Sequence, residues 1–290
     1  MAPSDALAPV AMTSADVLAG VALSDGAGWN QTADDWQLFV EHGRAIGWRT
    51  AQSQLVASAA TLPYGGVAWI SMVLVDRQFQ HRGLATALLE RCVGQLVQDS
   101  VVPVLDATPA GEPVYRRLGF EPGFALARWE AELPAAKGVH TGEARVRAAG
   151  LQDLDAIAAL DTEAAGLDRR FLLRDFLARH GSMAWLLHDD AGKASGFAIV
   201  RRGRRALQIG PLVAPSLSQA VVLLDAALAR IAGRVFLDVP SHWQGLAEAL
   251  SARGFRVQRP FVRMALAPSL PPCVAQAGEH LFVLAGPEFG

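Results

Sequence analysis

Cysteine is scarce in this chain: Cys92 and Cys273 are the only two in 290 residues. Two such distant thiols build no disulfide framework and have no metal-ligand spacing, and their rarity points to a reducing compartment. Charge of one sign is also lacking. A formal net charge of −2 supplies no global field toward nucleic acid or an anionic membrane. Long apolar runs are missing too. The longest, Ala220–Ala232, is interrupted by Asp225 and Arg230 and falls short of the roughly 20 residues that span a bilayer. No basic residue precedes Arg44, and Asp5 and Asp16 break the N-terminal stretch, so the basic start of a signal peptide is absent. These absences predict a soluble, cytoplasmic protein with no metal and neither a nucleic-acid nor a membrane partner.

What is present suits two globular domains. Half of the residues are apolar (51%) and 19% are charged, and the length exceeds the roughly 100–150 residues of one common domain. Helices are predicted over Ala15–Val21 and Ala33–Val40, with Ser14 and Thr32 as caps. Strands follow over Gly47–Thr50 and Gln54–Thr61, then a turn at Tyr64–Gly66. Val67–Val75 is an apolar, β-branched run expected to be buried on both faces. A helix over Gly83–Val97 carries Leu84, Leu88, Cys92 and Leu96 on one face, which makes Cys92 a core residue. Val101–Leu105 reads as a strand, Gly111–Leu118 as a short helix and Phe124–Leu133 as a strand.

Pro134–Glu143 has no apolar periodicity and reads as a linker. The second half then restarts the plan. Helices at Leu151–Leu160 and Arg169–Ala178 precede strands at Met183–His188, Ala194–Arg201 and Leu207–Val213. A helix at Gln219–Ala232, a strand at Val235–Asp238 and a helix ending at Gly254-Phe255 follow. Asp106 precedes Gly119-Phe120 just as Asp238 precedes Gly254-Phe255, the mark of an internal repeat of a whole domain. The repeats are placed at residues 1–134 and 144–290, the second ending in a C-terminal strand.

The chemically informative stretch is Met72–Glu90, which joins the buried strand to the following helix through Asp76-Arg77-Gln78-Phe79-Gln80-His81-Arg82-Gly83-Leu84-Ala85-Thr86. A helix start offers unpaired N–H groups and a partial positive charge, which together suit a pyrophosphate. Small residues at Gly83 and Ala85 let phosphates approach the backbone, and Arg77 and Arg82 add charge. By itself this is also an ordinary strand–turn–helix connection.

Gln80-His81-Arg82-Gly83-Leu84-Ala85 resembles the Gln/Arg-x-x-Gly-x-Gly/Ala signature of the GNAT acyltransferase superfamily. Tyr115-Arg116-Arg117-Leu118-Gly119-Phe120 resembles the Tyr-x-x-x-Gly-Phe ending of that family's last helix. Trp69–Val75, Leu105–Gly111, Gly210–Ala214 and the terminal Ala285–Gly290 are similar to a tandem subgroup of the YitH type, so the resemblance spans essentially the whole chain. It implies two α/β domains, each with a mixed, mostly antiparallel central sheet flanked by helices. It further implies acetyl-CoA as co-substrate, held by backbone at Val73, Leu74 and Val75 and by Gln80, His81, Arg82, Gly83, Leu84, Ala85 and Thr86. Tyr115 would protonate the departing thiolate; the alternative is an aromatic that anchors its helix. The acceptor is expected to be an amine, on a small molecule or a protein.

Two departures from the family pattern stand out. Thr108 replaces an asparagine seven residues before the tyrosine, which weakens the coenzyme contact there. The strand Val67–Val75 has no carboxylate to act as general base. Asp106, at the end of a buried strand where α/β sites form, is the candidate, with a turn-capping carboxylate as the alternative. Trp29 and Asn30 are candidates to line the acceptor site, or to form a capping loop. His81 reads as a phosphate neighbour or surface residue, and Glu41 and His42 as acceptor-side groups or a solvated helix end. In the second repeat the corresponding turn, Ala214–Ala220, has Pro215 and no glycine or arginine, so no coenzyme binding is expected there. Arg201–Arg205 reads as an arginine-rich hairpin tip. A coenzyme sensor without turnover and a protein-interaction scaffold are the alternatives to an enzyme.

Overall fold

The computed structural model describes residues 7–134 and 145–290, so residues 135–143 of the expected linker lie outside the described part. The chain forms two compact units. One reaches to Leu105 and includes Phe289; the other runs from Asp106 to Glu288 and includes Gly290.

The first unit contains β1 (Ala8–Ala11), α1 (Val17–Gly26), α2 (Ala33–His42), β2 (Arg44–Arg49), β3 (Leu55–Tyr64), β4 (Val67–Val75), α3 (Leu84–Gln98) and the first part of β5 (Val102–Ala107). Its strands lie in the order β1-β2-β3-β4-β5. All neighbours are antiparallel except the parallel pair β4 and β5. Every residue of β3 except Pro63 is buried, which requires cover on both faces; α1, α2 and α3 all pack on it. Helix α2 starts where a reciprocal cap forms. The Thr32 hydroxyl accepts from the Asp35 N–H at 3.3 Å, and the Asp35 carboxylate accepts from the Thr32 N–H at 2.7 Å, satisfying two donors at once. Trp36 then lies fully buried against α1. A Cβ at Gly20 would come within 2.6 Å of its ring, so a glycine is what lets the helices meet. On α3 three residues of the predicted face, Leu88, Cys92 and Leu96, are buried, while Leu84 at the helix start is half-buried.

The second unit contains α4 (Glu112–Arg117), β6 (Glu121–Leu133), β7 (Val146–Ala149), α5 (Leu154–Ala165), α6 (Arg170–Ala178), β8 (Met183–His188), β9 (Ala194–Arg202), β10 (Leu207–Val213), α7 (Leu217–Leu228), β11 (Gly233–Pro240), α8 (Gln244–Ala252), β12 (Arg256–Ala265), α9 (Pro272–Ala275) and β13 (Leu281–Val283). The strand order is β12-β6-β11-β10-β9-β8-β7, with β13 paired to β10. Again one neighbouring pair, β10 and β11, is parallel and the rest are antiparallel. The expected architecture, a mixed and mostly antiparallel sheet flanked by helices, is therefore what the chain adopts.

Strand β6, which closes the first sequence repeat, lies between two strands of the second. It runs antiparallel to β11 from Gly233↔Leu133 to Pro240↔Leu126 and to β12 from Arg256↔Glu130 to Ala265↔Glu121. Two buried ion pairs accompany this arrangement. Arg128 on β6 grips Asp238 on β11 with bonds of 2.9 and 2.8 Å, and Arg263 on β12 grips Asp106 on β5 with bonds of 2.8 and 2.9 Å. Each arginine stands nine residues after the Gly-Phe pair's glycine, Gly119 or Gly254. The pairs are thus reciprocal: each repeat supplies the arginine for the other's aspartate.

Strands β1, β7 and β12 were not legible as strands. The first two are four-residue segments without an alternating pattern. Strand β12 is rich in arginine and carries two register shifts. Pairing partners, not local pattern, decide them.

Removing one partner of a buried, bidentate pair leaves the other charge uncompensated. Arg128→Ala is expected to lower unfolding stability by about 3–5 kcal/mol, read as a fall in the urea midpoint. An Arg128→Met/Asp238→Leu double variant should recover much of that loss; equal loss in both would show that the ion pair itself is not what the site needs.

Candidate active site

Strand β4 changes character halfway. Its parallel pairing with β5 covers Val67↔Val102, Ala68↔Pro103 and Trp69↔Val104 and stops there. On the β3 side a bulge follows: the register moves from Ala60↔Ser71 to Ser58↔Leu74, and Met72 takes φ +53°. A positive φ at a non-glycine residue is costly. The Ser58 hydroxyl donates to the Met72 carbonyl at 2.8 Å inside the core and holds it there. Past the bulge, Leu74 is in register with Ser58 and the Asp76 N–H bonds the Val56 carbonyl at 2.8 Å. Antiparallel ladders alternate, so the Leu74 N–H belongs to β3, while Val73 and Val75 present theirs to the other edge. Among the described residues no strand pairs with that edge beyond Trp69. Of the three backbone positions expected to meet the coenzyme, Leu74 is therefore turned away. Strand β4 is also not buried on both faces, since Ser71, Val73 and Val75 are half-buried.

The loop after β4 is shaped before α3 begins. The Asp76 carboxylate accepts from the Gln78 N–H at 2.9 Å, and Gln80 reaches back to the Val75 carbonyl at 3.3 Å. Phe79 is buried, with the Arg82 guanidinium 4.9 Å over its ring and donating to the Gln78 carbonyl at 3.2 Å. His81 and Gly83 have φ +63° and +77°. Gly83 caps α3 without any side-chain bond, so the first-turn N–H groups of Leu84, Ala85 and Thr86 lack intrahelical partners. Arg77, His81, Arg82 and Thr86 are exposed. An anion is what such a turn can hold.

Tyr115 sits in α4 of the other unit. The Phe120 N–H bonds the Tyr115 carbonyl at 3.1 Å and the Gly119 N–H bonds the Arg116 carbonyl at 3.0 Å, with Gly119 at φ +89°. This is a Schellman stop, and the Tyr115 and Phe120 rings supply its apolar contact, centroids 6.0 Å apart. The motif thus has a structural purpose that a phenylalanine ring would serve equally. The hydroxyl is the surplus, and it makes no hydrogen bond among the described residues. A Cβ at Gly111 would lie 2.8 Å from the Tyr115 ring, so Gly111 sets the ring's place. Burial pushes the Tyr115 phenol above its usual value, which keeps it protonated through neutral pH.

Asp106 is not poised as a base. Its side chain has no exposure and both oxygens accept from Arg263, so taking a proton would break a buried ion pair. The catalytic expectation for Asp106 is withdrawn on that ground. Thr108 serves the turn before α4: its carbonyl and hydroxyl both accept from Gly111, at 3.0 and 3.3 Å. In the first unit Asn30 is buried and Trp29 half-buried, the latter's N–H bonding the Ser24 carbonyl at 2.9 Å. Glu41 and His42 are exposed at the end of α2, where Glu41 accepts from Gln37 at 2.6 Å. Arg201 does not belong to an exposed tip; it is buried, 4.5 Å over the Phe176 ring, and donates to the Ala285 carbonyl. Burial pushes the Cys92 thiol up to about 12, so it is an inert core group.

The second repeat repeats the scaffold with two differences. Strand β10 pairs with β11 over Leu207↔Val235 to Ile209↔Leu237 and then parts from it, as β4 parts from β5. Here the wedge is filled. Strand β13 pairs antiparallel with β10 at Leu212↔Val283 and Val213↔Leu281. The Ala214 N–H bonds the His280 carbonyl at 3.0 Å, and the Leu284 N–H bonds the Asp238 carbonyl at 2.8 Å. Helix α8 ends in the same Schellman stop, with Phe255 to Leu250 at 3.1 Å and Gly254 to Ser251 at 3.0 Å. Leu250 stands where Tyr115 stands in the first repeat. Both differences were within reach of the sequence, Leu250 by comparison between the halves and β13 as the C-terminal strand expected of the second repeat.

The comparisons with known proteins agree with this fold. Two models described as acetyltransferase (GNAT) domain match residues 31–123 and 157–277, together most of the chain. The uncharacterized N-acetyltransferase YitH of Bacillus subtilis is 25% identical over 79% of this chain and 80% of its own length. A putative acetyltransferase from Pyrococcus horikoshii superposes with TM-score 0.79 at 20% identity, covering 100% of this chain and 98% of that one. A tandem GNAT protein from the clavulanic acid biosynthesis pathway superposes with TM-score 0.65 at 16% identity, over 91% of this chain and 100% of that one. The chain belongs to the GNAT acetyltransferase superfamily as a tandem-domain acyltransferase.

The chain has two tyrosines, Tyr64 and Tyr115, which makes a phenolate titration decisive. The difference in ultraviolet titration between the native protein and Tyr115→Phe should show one ionisation with a midpoint above the usual value of about 10. Helix content and unfolding midpoint should stay unchanged in the variant. A midpoint at or below 10 would remove the buried phenol from the account.

Proposed function

We propose that the protein transfers an acetyl or other short acyl group from acetyl-CoA to a primary amine, with the first repeat, residues 1–134, as the catalytic one. The observation that carries this reading is the open edge of β4 past Trp69, ending at an uncapped helix start. Val73 and Val75 would bond the pantetheine amides through their backbone. The N–H groups from His81 to Thr86 would hold the pyrophosphate, with Gln80 shaping the loop and Arg82 and Arg77 adding charge. Thr108 is the weakest of the coenzyme contacts, being committed to its own turn. Trp29 and Asn30 are proposed to line the acceptor side.

The acyl-CoA thioester supplies an activated carbonyl. The amine nitrogen forms the new C–N bond, the C–S bond breaks, and Tyr115 gives its proton to the leaving sulfur. The amine's surplus proton passes to water, since β4 carries no carboxylate and Asp106 is tied to Arg263. Tyr115 recovers its proton from solvent, closing the cycle. The second repeat, residues 144–290, is proposed not to turn over, for Leu250 replaces the phenol and β13 fills the wedge. No helix among the described residues is long and apolar enough to cross a membrane, and a cytoplasmic site of action is proposed. The partner is the amine acceptor, borne by a small molecule or a protein.

Calorimetry with acetyl-CoA tests the reading. The native protein should bind one equivalent per chain at about micromolar affinity, about −8 kcal/mol, and Gly83→Glu should abolish binding by placing a carboxylate where phosphate belongs. Tyr115→Phe should bind unchanged while turnover on an amine panel falls by about 100-fold or more. Binding without any amine-dependent turnover in the native protein would favour a coenzyme sensor. No binding would overturn the proposal.

A further inference from the structure

Between the second half of α3 and strands β2 and β3 of the first unit lies an open cavity of about 370 Å³, a size that takes a small organic molecule. Ile46 of β2 and Leu96 of α3 give it an apolar floor. Polar groups ring that floor. Arg91, Gln95 and Gln98 stand at i, i+4 and i+7 on α3, which is one face of a helix. Arg44 and Thr61, opposite one another in the β2–β3 ladder, complete the ring from the sheet.

Two guanidinium groups line the cavity and, among the described residues, no carboxylate does. Arg44 gives one bond to Asp99 at 2.8 Å, and Gln95 bonds the other oxygen of that carboxylate at 3.1 Å. A negative charge at a helix C-terminus is unfavourable by itself, so this clamp serves α3 locally. It leaves most of the Arg44 fork unused. Arg91 and Gln98 are exposed and make no hydrogen bond or ion pair among the described residues. Thr61 is 5% exposed, and its hydroxyl is neither bonded among the described residues nor sealed off. Gly94, also in the lining, leaves room above the floor: a Cβ there would meet nothing within 4 Å. Donors with a surplus of positive charge over an apolar floor match a planar carboxylate on a short apolar body. An amine would meet two like charges, and an inorganic anion would leave the floor unused.

We propose that this cavity binds a small monocarboxylate with an apolar body. The Arg91 fork takes its oxygens, Arg44, Gln98 and Thr61 add donors, and Ile46 and Leu96 receive its tail. The site stands apart from the proposed acyl transfer, because it uses neither the β4 edge, nor the loop from Gln80 to Thr86, nor Tyr115. It would give the first repeat a second ligand, held on the same helix whose start is proposed to hold the pyrophosphate.

The test uses the full chain without coenzyme and hexanoate as probe, with n-hexylammonium, 1-hexanol and inorganic phosphate as controls, read by calorimetry. Saturable binding of hexanoate alone is expected, weaker by about tenfold or more in Arg91→Gln. Gly94→Phe should weaken it as much by filling the cavity, with its unfolding midpoint no lower, since glycine is a poor helix former. Gly83→Glu and Tyr115→Phe should bind hexanoate like the native protein, and the Ile46 methyl resonances should shift on titration. Equal affinity in Arg91→Gln, unmoved Ile46 methyls, a control that binds as tightly as hexanoate, or no binding of hexanoate would each overturn the assignment. Loss of acetyl-CoA binding or turnover would leave these readings untouched, so the two proposals fail separately.

Discussion

The reciprocal exchange of arginines is the constraint from which the second unit's construction follows. Asp106 and Asp238 end strands at equivalent places in the two repeats, and both side chains are fully enclosed. An ionised carboxylate in that position is untenable without a partner. The partner comes each time from the other repeat's last strand. Burial by itself would lower the pKa of the Arg128 guanidinium, but the charge and hydrogen bonds of Asp238 and the charge of Glu288 together hold it above its ordinary value. Gln208 adds a third bond to Asp238 at 2.8 Å. For Arg128 to reach Asp238, β6 must lie beside β11, and β12 then takes β6's other edge. A repeat boundary drawn on sequence and a boundary drawn on compactness therefore need not coincide.

The same fork between parallel strands meets two fates. In both repeats the pairing holds for three residues and then opens. Opening leaves backbone groups that must find partners. In the second repeat β13 supplies them covalently, from the same chain. Gly210 is adapted to this: a Cβ there would approach the Leu284 carbonyl to 2.0 Å, so the Gly-Pro-Leu-Val-Ala segment and the C-terminal stretch are fitted to one another. In the first repeat no strand among the described residues takes the edge at Val73 and Val75. One architecture thus yields an open strand edge or a sealed core, depending on whether the chain brings its own strand.

The local structure around the candidate residues was partly legible in the sequence. The loop from Gln80 to Ala85 lies where its residues predicted, because a glycine opening an amphipathic helix after an apolar strand is a local pattern. The Tyr115–Phe120 motif was legible as a helix ending for the same reason, and its aromatic anchors that ending as the alternative reading expected. What misled was Asp106. A lone aspartate at a strand end carries no local sign of what will face it, and Arg263 is 157 residues away. The offset of nine residues that Arg128 and Arg263 share was visible, but it gains meaning only once β6 and β12 are seen side by side.

From its sequence alone the chain determined the existence and order of the long helices and strands, the repeat, the anion-ready loop and the loss of that loop in the second half. Each of these rests on periodicity or on short-range chemistry, where neighbours in sequence are neighbours in space. The tertiary structure alone decided which strands adjoin, that β6 crosses into the company of β11 and β12, and that β13 seals one wedge. It also decided that Leu74 turns its N–H inward. Those outcomes depend on pairing across large separations, where many partners are equally compatible with the local pattern and burial of charge and backbone groups makes the choice.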